Sequence, residues 1–343
     1  MPRSKTYRFY ALLLILVLLI CFMVNISLGS VSIPFREVIN SLLGKETDPD
    51  SWGYIIWNYR LPKALTAILV GSGLSLSGLL MQTLFRNPLA GPFVLGISSG
   101  ASLGVALLIL GSSLFSGILA LGPISDISMV LASSLGSFIV LLAVMVVANR
   151  IKDTMALLII GLMFGSMTAA MVSVLSYFST AEKLQRYIYW SFGSLGNLSW
   201  QQLLVLLTVT LIGLLIGVFS IKSLNGFLLG ENYAKSIGIN IKRSRYLIIL
   251  ATGLLAGGAT AFAGPIAFIG LAVPHLTRQI FNTTDHRILL PAVMVYGAIL
   301  MLICDTIAQW PASAHVLPIN AITSIIGAPV VIWLLVRKRN MVF

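Results

Sequence analysis

Long apolar runs separated by short polar segments make up most of this chain. Ten runs can be distinguished, and most are close to the roughly 20 residues that a helix needs to cross a bilayer. They cover residues 9–29, 61–85, 93–111, 127–149, 155–178, 201–221, 246–263, 265–281, 288–308 and 319–336. The pattern predicts an all-α integral membrane protein with about ten transmembrane helices.

The eighth run is the weakest of the ten, because Pro274 interrupts it and only residues 265–276 are free of charge. Positive charges decide whether it crosses, since Lys and Arg accumulate in cytoplasmic loops. With ten crossings and a cytoplasmic N-terminus, 16 of the 22 Lys and Arg residues lie inside; without the eighth crossing the division is 11 and 11. We therefore predict ten crossings, with both termini in the cytoplasm.

Composition supports a single transmembrane domain over residues 1–343. Hydrophobic residues make up 58% of the chain and charged residues 9%, whereas a soluble domain carries about 25% charged residues. The net charge of +12 would suggest nucleic acid for a soluble protein, but here the positive-inside bias explains it. Cys21 and Cys304 lie singly in apolar runs, so neither a disulfide nor a metal site is expected.

Two places interrupt the helical pattern. Residues 87–92, between spans 2 and 3, contain Gly91-Pro92, and Gly264-Pro265 opens span 8. Each Gly-Pro pair is followed by an apolar piece and a glycine, about half a chain apart. We expect broken helices at both places. The correspondence also permits an inverted repeat of spans 2–5 and 7–10, a common plan in transporters, although so short a match can arise by coincidence.

The segments predicted to lie outside include two that are longer than a simple turn requires. Residues 31–59 are acidic, and residues 180–200 contain YIYWSFGSLGNLSW, whose aromatic residues suit the membrane–water boundary. An amphipathic helix is expected in the second segment.

The chain lacks the residues for an energy source of its own. No Walker sequence occurs, since Gly44-Lys45 is followed by Glu46 and lacks the upstream glycine. Ionisable residues are nearly absent from the spans, and we interpret the exception, Asp305, as structural rather than as a proton carrier. The chain is therefore either a passive channel or a subunit that another protein drives.

A polar and basic segment at residues 222–245 is the largest one predicted in the cytoplasm. Gly226, Gly230 and Gly238 break it, and the pattern predicts two short helical pieces. The second would run from Glu231 to Ile237 and stop at Gly238. The segment is either a solvated linker or a surface on which another protein pushes.

Several segments of this chain are similar to one known family. They are RLPKALTAILVGSGLSLSGLLMQTLFRNPLAGPFVLGISSGASLG (60–104), YWSFGSLGNLSW (189–200), GENYAKSIGI (230–239), AGPIAFIGLAVPHLTRQI (263–280), TDHRILLP (284–291) and LPINAITSIIGAPVVIWLL (317–335). In order and spacing they resemble the permeases of ABC importers for iron siderophores and cobalamin, the FecCD-type family.

The resemblance implies a cobalamin-permease-like fold of the type II ABC importers, in a bacterial cytoplasmic membrane. It also implies a second permease, identical or paralogous, two ATPase subunits and an external substrate-binding protein. ATP and Mg would be bound by the ATPase subunits, so this chain is expected to hold no cofactor or metal and to have no enzymatic activity. No role with nucleic acid is expected.

The resemblance assigns coupling to the ATPase to residues of the segment 222–245. By position these are Gly230, Glu231, Ala234, Lys235 and Gly238. Ala234 and Gly238 are four residues apart on a helix, so they would form a small face that permits close approach, and Glu231 and Lys235 would pair at i, i+4. Alternatively, these residues only shape the loop.

Other residues match positions at the two mouths of the translocation path. Arg60 and Lys63 match external basic positions that engage acidic residues of the binding protein; alternatively, they anchor span 2 at the lipid surface. A third basic position of cobalamin permeases is Gln309 here, which makes the strength of docking an open question.

Asn87, Leu89, Thr154 and Met155 match positions that narrow the cytoplasmic mouth. Met155 is larger and less polar than the residue in the cobalamin permease pattern, so this gate is expected to close by packing and dewetting.

The sequence therefore predicts the permease subunit of an ATP-driven importer of ferric siderophores that works by alternating access. Cobalamin or haem is the alternative substrate within the family. A stand-alone secondary carrier or channel is the alternative of a different class.

Overall fold

The computed structural model describes residues 2–111, 125–151, 154–196, 198–309 and 316–336, and every regular element within these ranges is helical. The α-helices, numbered along the chain, are α1 (Pro2–Ser27), α2 (Phe35–Leu42), α3 (Asp50–Ile55), α4 (Leu61–Phe85), α5 (Ile97–Ile109), α6 (Asp126–Arg150), α7 (Thr154–Tyr177), α8 (Ala181–Ser191), α9 (Trp200–Phe219), α10 (Ile221–Leu228), α11 (Glu231–Ser236), α12 (Ile241–Ala263), α13 (Ile269–Phe281), α14 (His286–Ala308) and α15 (Ile319–Val336).

Seven helical segments in the described ranges are long and apolar enough to cross a membrane. They lie at predicted spans 1, 2, 4, 5, 6, 7 and 9. The other three predicted spans contain α5, α13 and α15, with 13, 13 and 18 residues. At 1.5 Å per residue, α5 and α13 are each about 20 Å long, which is shorter than the roughly 30 Å hydrocarbon core. A non-helical segment must therefore complete each of these two spans.

Those non-helical segments occur at the two predicted breaks. α4 ends at Phe85, and a short 3-10 turn over Pro92–Leu95 precedes α5. α12 ends at Ala263, and α13 begins only at Ile269. Irregular backbone is tolerated at membrane depth only when protein surrounds it, and Ala90 and Leu95 are fully buried. Both predicted breaks are confirmed.

The two breaks also resemble each other in detail. The residue before α5 is Gly96, with φ of 71°, and the residue before α13 is Phe268, with φ of 66°. In each case a long helix, a break and a left-handed residue lead into a helix of 13 residues. This similarity supports the inverted repeat, which stays a prediction.

The helix α4 lies at the centre of the bundle. It packs against α9, α12, α13 and α14. A side chain at Gly78 would lie 1.8 Å from the carbonyl oxygen of Gly270, and one at Gly71 would lie 2.4 Å from that of Gly297. The backbones therefore touch at these glycines, as small residues permit in membrane helix pairs. The rich content of small residues in span 2 reflects packing.

The predicted external segments form short helices. The first contains α2, α3 and a π-helical turn over Ile56–Arg60 that continues directly into α4. The second contains α8, which confirms the helix expected within residues 180–200. The two segments meet where the indole N–H of Trp200 donates to the carbonyl oxygen of Trp57, at 3.2 Å.

The polar segment 222–245 contains the two predicted short helices, α10 and α11. Gly226 was predicted to break the segment, but it lies inside α10. Gly230 separates the two helices with φ of 105°, and Gly238 follows α11 with φ of 80°. Both values lie in the left-handed region that favours glycine. Residues 222–245 are therefore a structured hairpin of helices rather than an extended linker.

Candidate functional site

Polar side chains gather at the two ends of the bundle, and the Asp305 end is the more completely buried. The Lys63 Nζ lies 3.1 Å from Asp305 Oδ1, and 3% of the Asp305 side chain is exposed. Asn25 Nδ2 and Gln309 Nε2 donate to Asp305 Oδ2 at 2.9 and 2.6 Å. A buried carboxylate is tolerated when it is paired and hydrogen-bonded. The contacts join α1, α4 and α14 and support the interpretation of Asp305 as structural.

Arg60, at the same end, bonds to the end of α1. Its Nη1 donates to the carbonyl oxygens of Ile26 and Ser27 at 2.6 and 2.8 Å, and Nη2 donates to that of Val31. The last carbonyls of a helix have no partner within the helix; the carbonyl oxygen of Ser27 also accepts from the N–H of Ile33 at 3.0 Å, and the guanidinium adds a charged donor to this helix end. Only 8% of Arg60 is exposed.

The predicted docking residues therefore both have partners inside the protein. Arg60 and Lys63 line one cavity of about 400 Å³, together with Gln309 and Tyr59. About 17% of the Lys63 side chain is exposed, so Lys63 is the more accessible of the two cations. Docking stays a prediction. The sequence predicted both residues as external cations. It did not reveal that Arg60 bonds to the end of α1 and that Lys63 pairs with Asp305 of α14.

At the opposite end, the Arg245 end, Asn225 on α10 is bonded to the start of α14. Asn225 Nδ2 donates to Asp285 Oδ1 at 2.8 Å, and Asn225 Oδ1 accepts from the backbone N–H of His286 at 3.0 Å. The same oxygen lies 2.7 Å from His286 Nδ1, and His286 Nε2 lies 2.9 Å from the Thr83 hydroxyl. An amide oxygen only accepts, so Nδ1 carries the proton. Asn225 thereby joins α10, α14 and α4.

Asp285 caps the N-terminus of α14 by accepting from the N–H of Arg287 at 3.0 Å. Partial burial acts to raise the pKa of Asp285, but the hydrogen bonds from Arg287 and Asn225 and the charge of Arg287 outweigh it. The net result is a pKa below the usual value for an aspartate. Asp285 is therefore charged at neutral pH.

Arg245, near the start of α12, connects two other elements. Its Nη2 lies 3.0 Å from Glu231 Oε1, and its Nη1 donates to the carbonyl oxygen of Ile151 at 3.0 Å. Glu231 is the first residue of α11, and Ile151 follows the last residue of α6. The predicted pairing of Glu231 with Lys235 is therefore wrong, because Arg245 on the neighbouring helix supplies a nearer, buried partner.

The predicted small face of α11 is also divided by the fold. Ala234 is fully buried, and it packs against Gly226 of α10. Gly238 and Lys235 are exposed. Ala234 therefore serves the contact between α10 and α11, and the expectation that Ala234 and Gly238 form one approach surface is corrected. The coupling roles of Gly230, Glu231, Lys235 and Gly238 stay predictions.

Three large apolar side chains on this hairpin are exposed, and none of them was predicted from the sequence to have a role. Leu229, Tyr233 and Ile237 are 65%, 47% and 41% exposed. They line a cavity of about 260 Å³ with Lys222 and Arg287. Their spacing of four residues within an otherwise polar segment was the available signal. An exposed apolar group of this kind, rimmed by charges, is typical of a contact surface for another protein.

The predicted gate residues lie in two separate elements. Asn87 Oδ1 accepts from the N–H of Leu89 at 2.9 Å, which closes the turn after α4. Leu89 and Met155 are 43% and 52% exposed. The side chain of Thr154 lies outside the described residues. His275 Nε2 donates to the carbonyl oxygen of Pro88 at 2.9 Å and holds this turn against α13; the sequence analysis did not assign it a role. Gating stays a prediction.

No group of three or more His, Cys, Asp or Glu side chains suited to a metal ion occurs in the part of the chain that the structure describes. At each end of the bundle, the polar side chains described above are instead paired with neighbouring residues of the same end.

Comparison with known proteins decides the family. The FecCD transport family model matches residues 16–337. The chain belongs to the FecCD transport family. The predicted resemblance to the permeases of ABC importers is thereby confirmed.

Individual FecCD relatives match along nearly the whole chain. The vitamin B12 import system permease protein BtuC of Klebsiella pneumoniae is 38% identical over 98% of this chain and 96% of its own length. The hemin transport system permease protein HmuU of Yersinia pestis is 36% identical over 95% of each chain. A solved structure described as an inward-facing metal-chelate type ABC transporter matches with a TM-score of 0.81, at 32% identity, over 95% of this chain and 98% of that chain. The predicted cobalamin-permease-like fold is thereby confirmed.

Proposed function

We propose that this chain is the permease subunit of an ATP-driven importer of metal chelates, with ferric siderophores as the substrate class. The observation that carries the proposal is the family match over residues 16–337, combined with the structured hairpin of α10 and α11. Transport would proceed by alternating access, with both termini and the hairpin in the cytoplasm.

The hairpin is the surface that we assign to the ATPase subunit. Leu229, Tyr233 and Ile237 supply exposed apolar area, and Lys235 and Gly238 lie exposed beside them. Apolar groups that are exposed in the free chain gain free energy when a partner covers them. The bonds of Asn225 to Asp285 and His286 support force transfer, because they prevent α10 from moving independently of α14.

The second permease is assigned to the exposed face of α7. The exposed side chains of α1 are large and aliphatic, such as Leu12 and Leu16, as expected for contact with lipid. α7 exposes large aliphatic side chains too, but between its methionines it also exposes small and weakly polar residues, namely Ser166, Ala169, Ala170 and Ser173. Small residues mark helix–helix contacts in membranes, so this composition favours a protein neighbour.

The same face of α7 supports a chelate as cargo. Met163, Met167 and Met171 are 46–57% exposed and are spaced four residues apart, so they share one side of the helix. Methionine side chains are flexible and polarizable and adapt to ligands of different shape. A path of this kind would bind cargo weakly and leave selection to the external binding protein.

The test is reconstitution. The chain would be incorporated into proteoliposomes with the ATPase, binding protein and any second permease encoded beside it. Uptake of ⁵⁵Fe-labelled hydroxamate and catecholate siderophores is expected to require ATP and the binding protein. Cyanocobalamin and haemin, suggested by the names of two relatives, are measured in parallel.

ATP-dependent uptake of cyanocobalamin or haemin alone would replace the siderophore assignment but keep the importer. Accumulation by this chain without an ATPase would instead overturn the importer proposal in favour of a secondary carrier.

A further inference from the structure

Arg245 has a position that the proposed coupling surface does not explain. It lies in the first two turns of α12, and only 8% of its side chain is exposed. A buried guanidinium needs charged or hydrogen-bonding partners, and both Nη atoms of Arg245 have one. Its contacts therefore have to be part of the stable arrangement of this end of the bundle.

Those contacts reach two elements that the chain does not join directly. One arm of the guanidinium binds Glu231 Oε1 at the start of α11, and the other binds the carbonyl oxygen of Ile151, each at 3.0 Å. Ile151 lies three residues before α7 begins at Thr154. The second contact therefore lies at the end of α6, four residues along the chain before Met155, a predicted gate residue.

The geometry of arginine matters for this arrangement. Guanidinium is planar and presents its donors in a fixed fork. A displacement of Glu231 therefore turns the guanidinium. This moves the Nη1 donor relative to the carbonyl oxygen of Ile151. A flexible lysine has a single ammonium group and does not fix two acceptors relative to each other in this way.

We propose that Arg245 is a positioning residue that links the coupling helix α11 to Ile151 at the end of α6. The inference rests on the proposed function. Movement of α11 by the ATPase is transmitted through Glu231 and Arg245 to Ile151, and the end of α6 follows. The contacts of Asn225 hold α10 to α14 at the same time. The part of the hairpin that can move the end of α6 is therefore α11.

The experiment compares four variants in the complete reconstituted transporter. They are Arg245→Gln, Arg245→Lys, the exchange Glu231→Arg with Arg245→Glu, and the control Arg243→Gln. Arg243 is an exposed arginine on the same helix, two residues away. For each variant, uptake per ATP hydrolysed and the amount of ATPase bound to the permease are measured separately.

Arg245→Gln is expected to lower uptake per ATP about tenfold, the factor that corresponds to one charge-assisted hydrogen bond. ATPase binding should change less than twofold, and Arg243→Gln should keep the wild-type ratio. Arg245→Lys retains a buried cation, so this variant should fold even if Arg245→Gln does not. Its uptake per ATP hydrolysed should nevertheless fall as well. The exchange restores the ion pair but places no donor opposite Ile151, so its ratio should stay low.

Three outcomes would overturn the inference. They are an unchanged ratio in both single variants of Arg245, full recovery in the exchange variant, and a loss of uptake that only parallels a loss of bound ATPase. A wild-type complex without ATP-dependent uptake would instead refute the proposed function, so the two failures are distinguishable.

Discussion

The Asp305 end and the Arg245 end use similar residues for different purposes. At the first, an acid that is 3% exposed is held by a lysine and two amides on three long helices. At the second, the acid is Glu231, which is 43% exposed and lies on a helix of six residues. Burial of the Asp305 carboxylate makes the first cluster a fixed contact between helices. Exposure of Glu231 leaves the second accessible to a partner protein, so the difference distinguishes a fixed contact from one that can respond.

The largest expected effect comes from removing the two acids in turn. Asp305→Ala leaves Lys63 without its partner in a buried site, which costs about 3–5 kcal/mol of unfolding free energy. Glu231→Ala removes a half-exposed ion pair and should cost about 1 kcal/mol or less. Thermal unfolding in detergent measures both.

The matched control is the double variant Lys63→Met with Asp305→Leu, which removes both charges and should recover much of the loss. Equal destabilisation by Asp305→Ala and Glu231→Ala would contradict the distinction between the two ends.

An intermediate effect is expected for Asn225→Ala. The change leaves His286 Nδ1 without its acceptor and Asp285 without one donor, at a cost of about 1–3 kcal/mol. Hydrogen exchange should show faster opening of α10 and the start of α14, while α1 keeps its protection. Exchange that accelerates equally in α1 would mean that the two ends are not independent.

The smallest expected effect is the pH dependence at Asp285. Its pKa is lowered in the folded protein, so its contribution to stability is complete above the pKa of the unfolded chain. That contribution is lost as pH falls through the lower, folded value. Asp285→Asn keeps a capping oxygen but removes the titration, and its stability should decrease less steeply below about pH 4. Identical acid profiles for both proteins would argue against this origin.

The fold was largely predictable from the sequence because lipid imposes simple rules. Span length and charge placement located the apolar segments, and Gly-Pro pairs located the breaks before Pro92 and at Gly264. The half-length of α5 and α13 was not predictable, since an apolar run gives no sign of where the helix within it begins. The left-handed conformation of Phe268 carries no sequence signal at all.

The candidate site was less predictable, because it depends on pairings between distant positions. Glu231 and Lys235 satisfy a local rule, but Arg245 is fourteen residues away from Glu231 and reaches it only through the turn before α12. Ala234 appeared suited to an external contact until the packing of α10 on α11 placed it inside. Arg60 is likewise an ordinary boundary cation in the sequence, and its three carbonyl partners become visible only in the folded chain.

The central helix α4 bears Lys63 near its first residue and Thr83 near its last, about 30 Å apart along the axis. Lys63 is bonded to Asp305, and Thr83 lies against His286, so both ends of α4 are attached to α14. Two antiparallel helices that are bonded to each other at both ends cannot slide past one another. Under the proposed alternating access, we therefore expect α4 and α14 to tilt as a unit while the shorter helices around them bend.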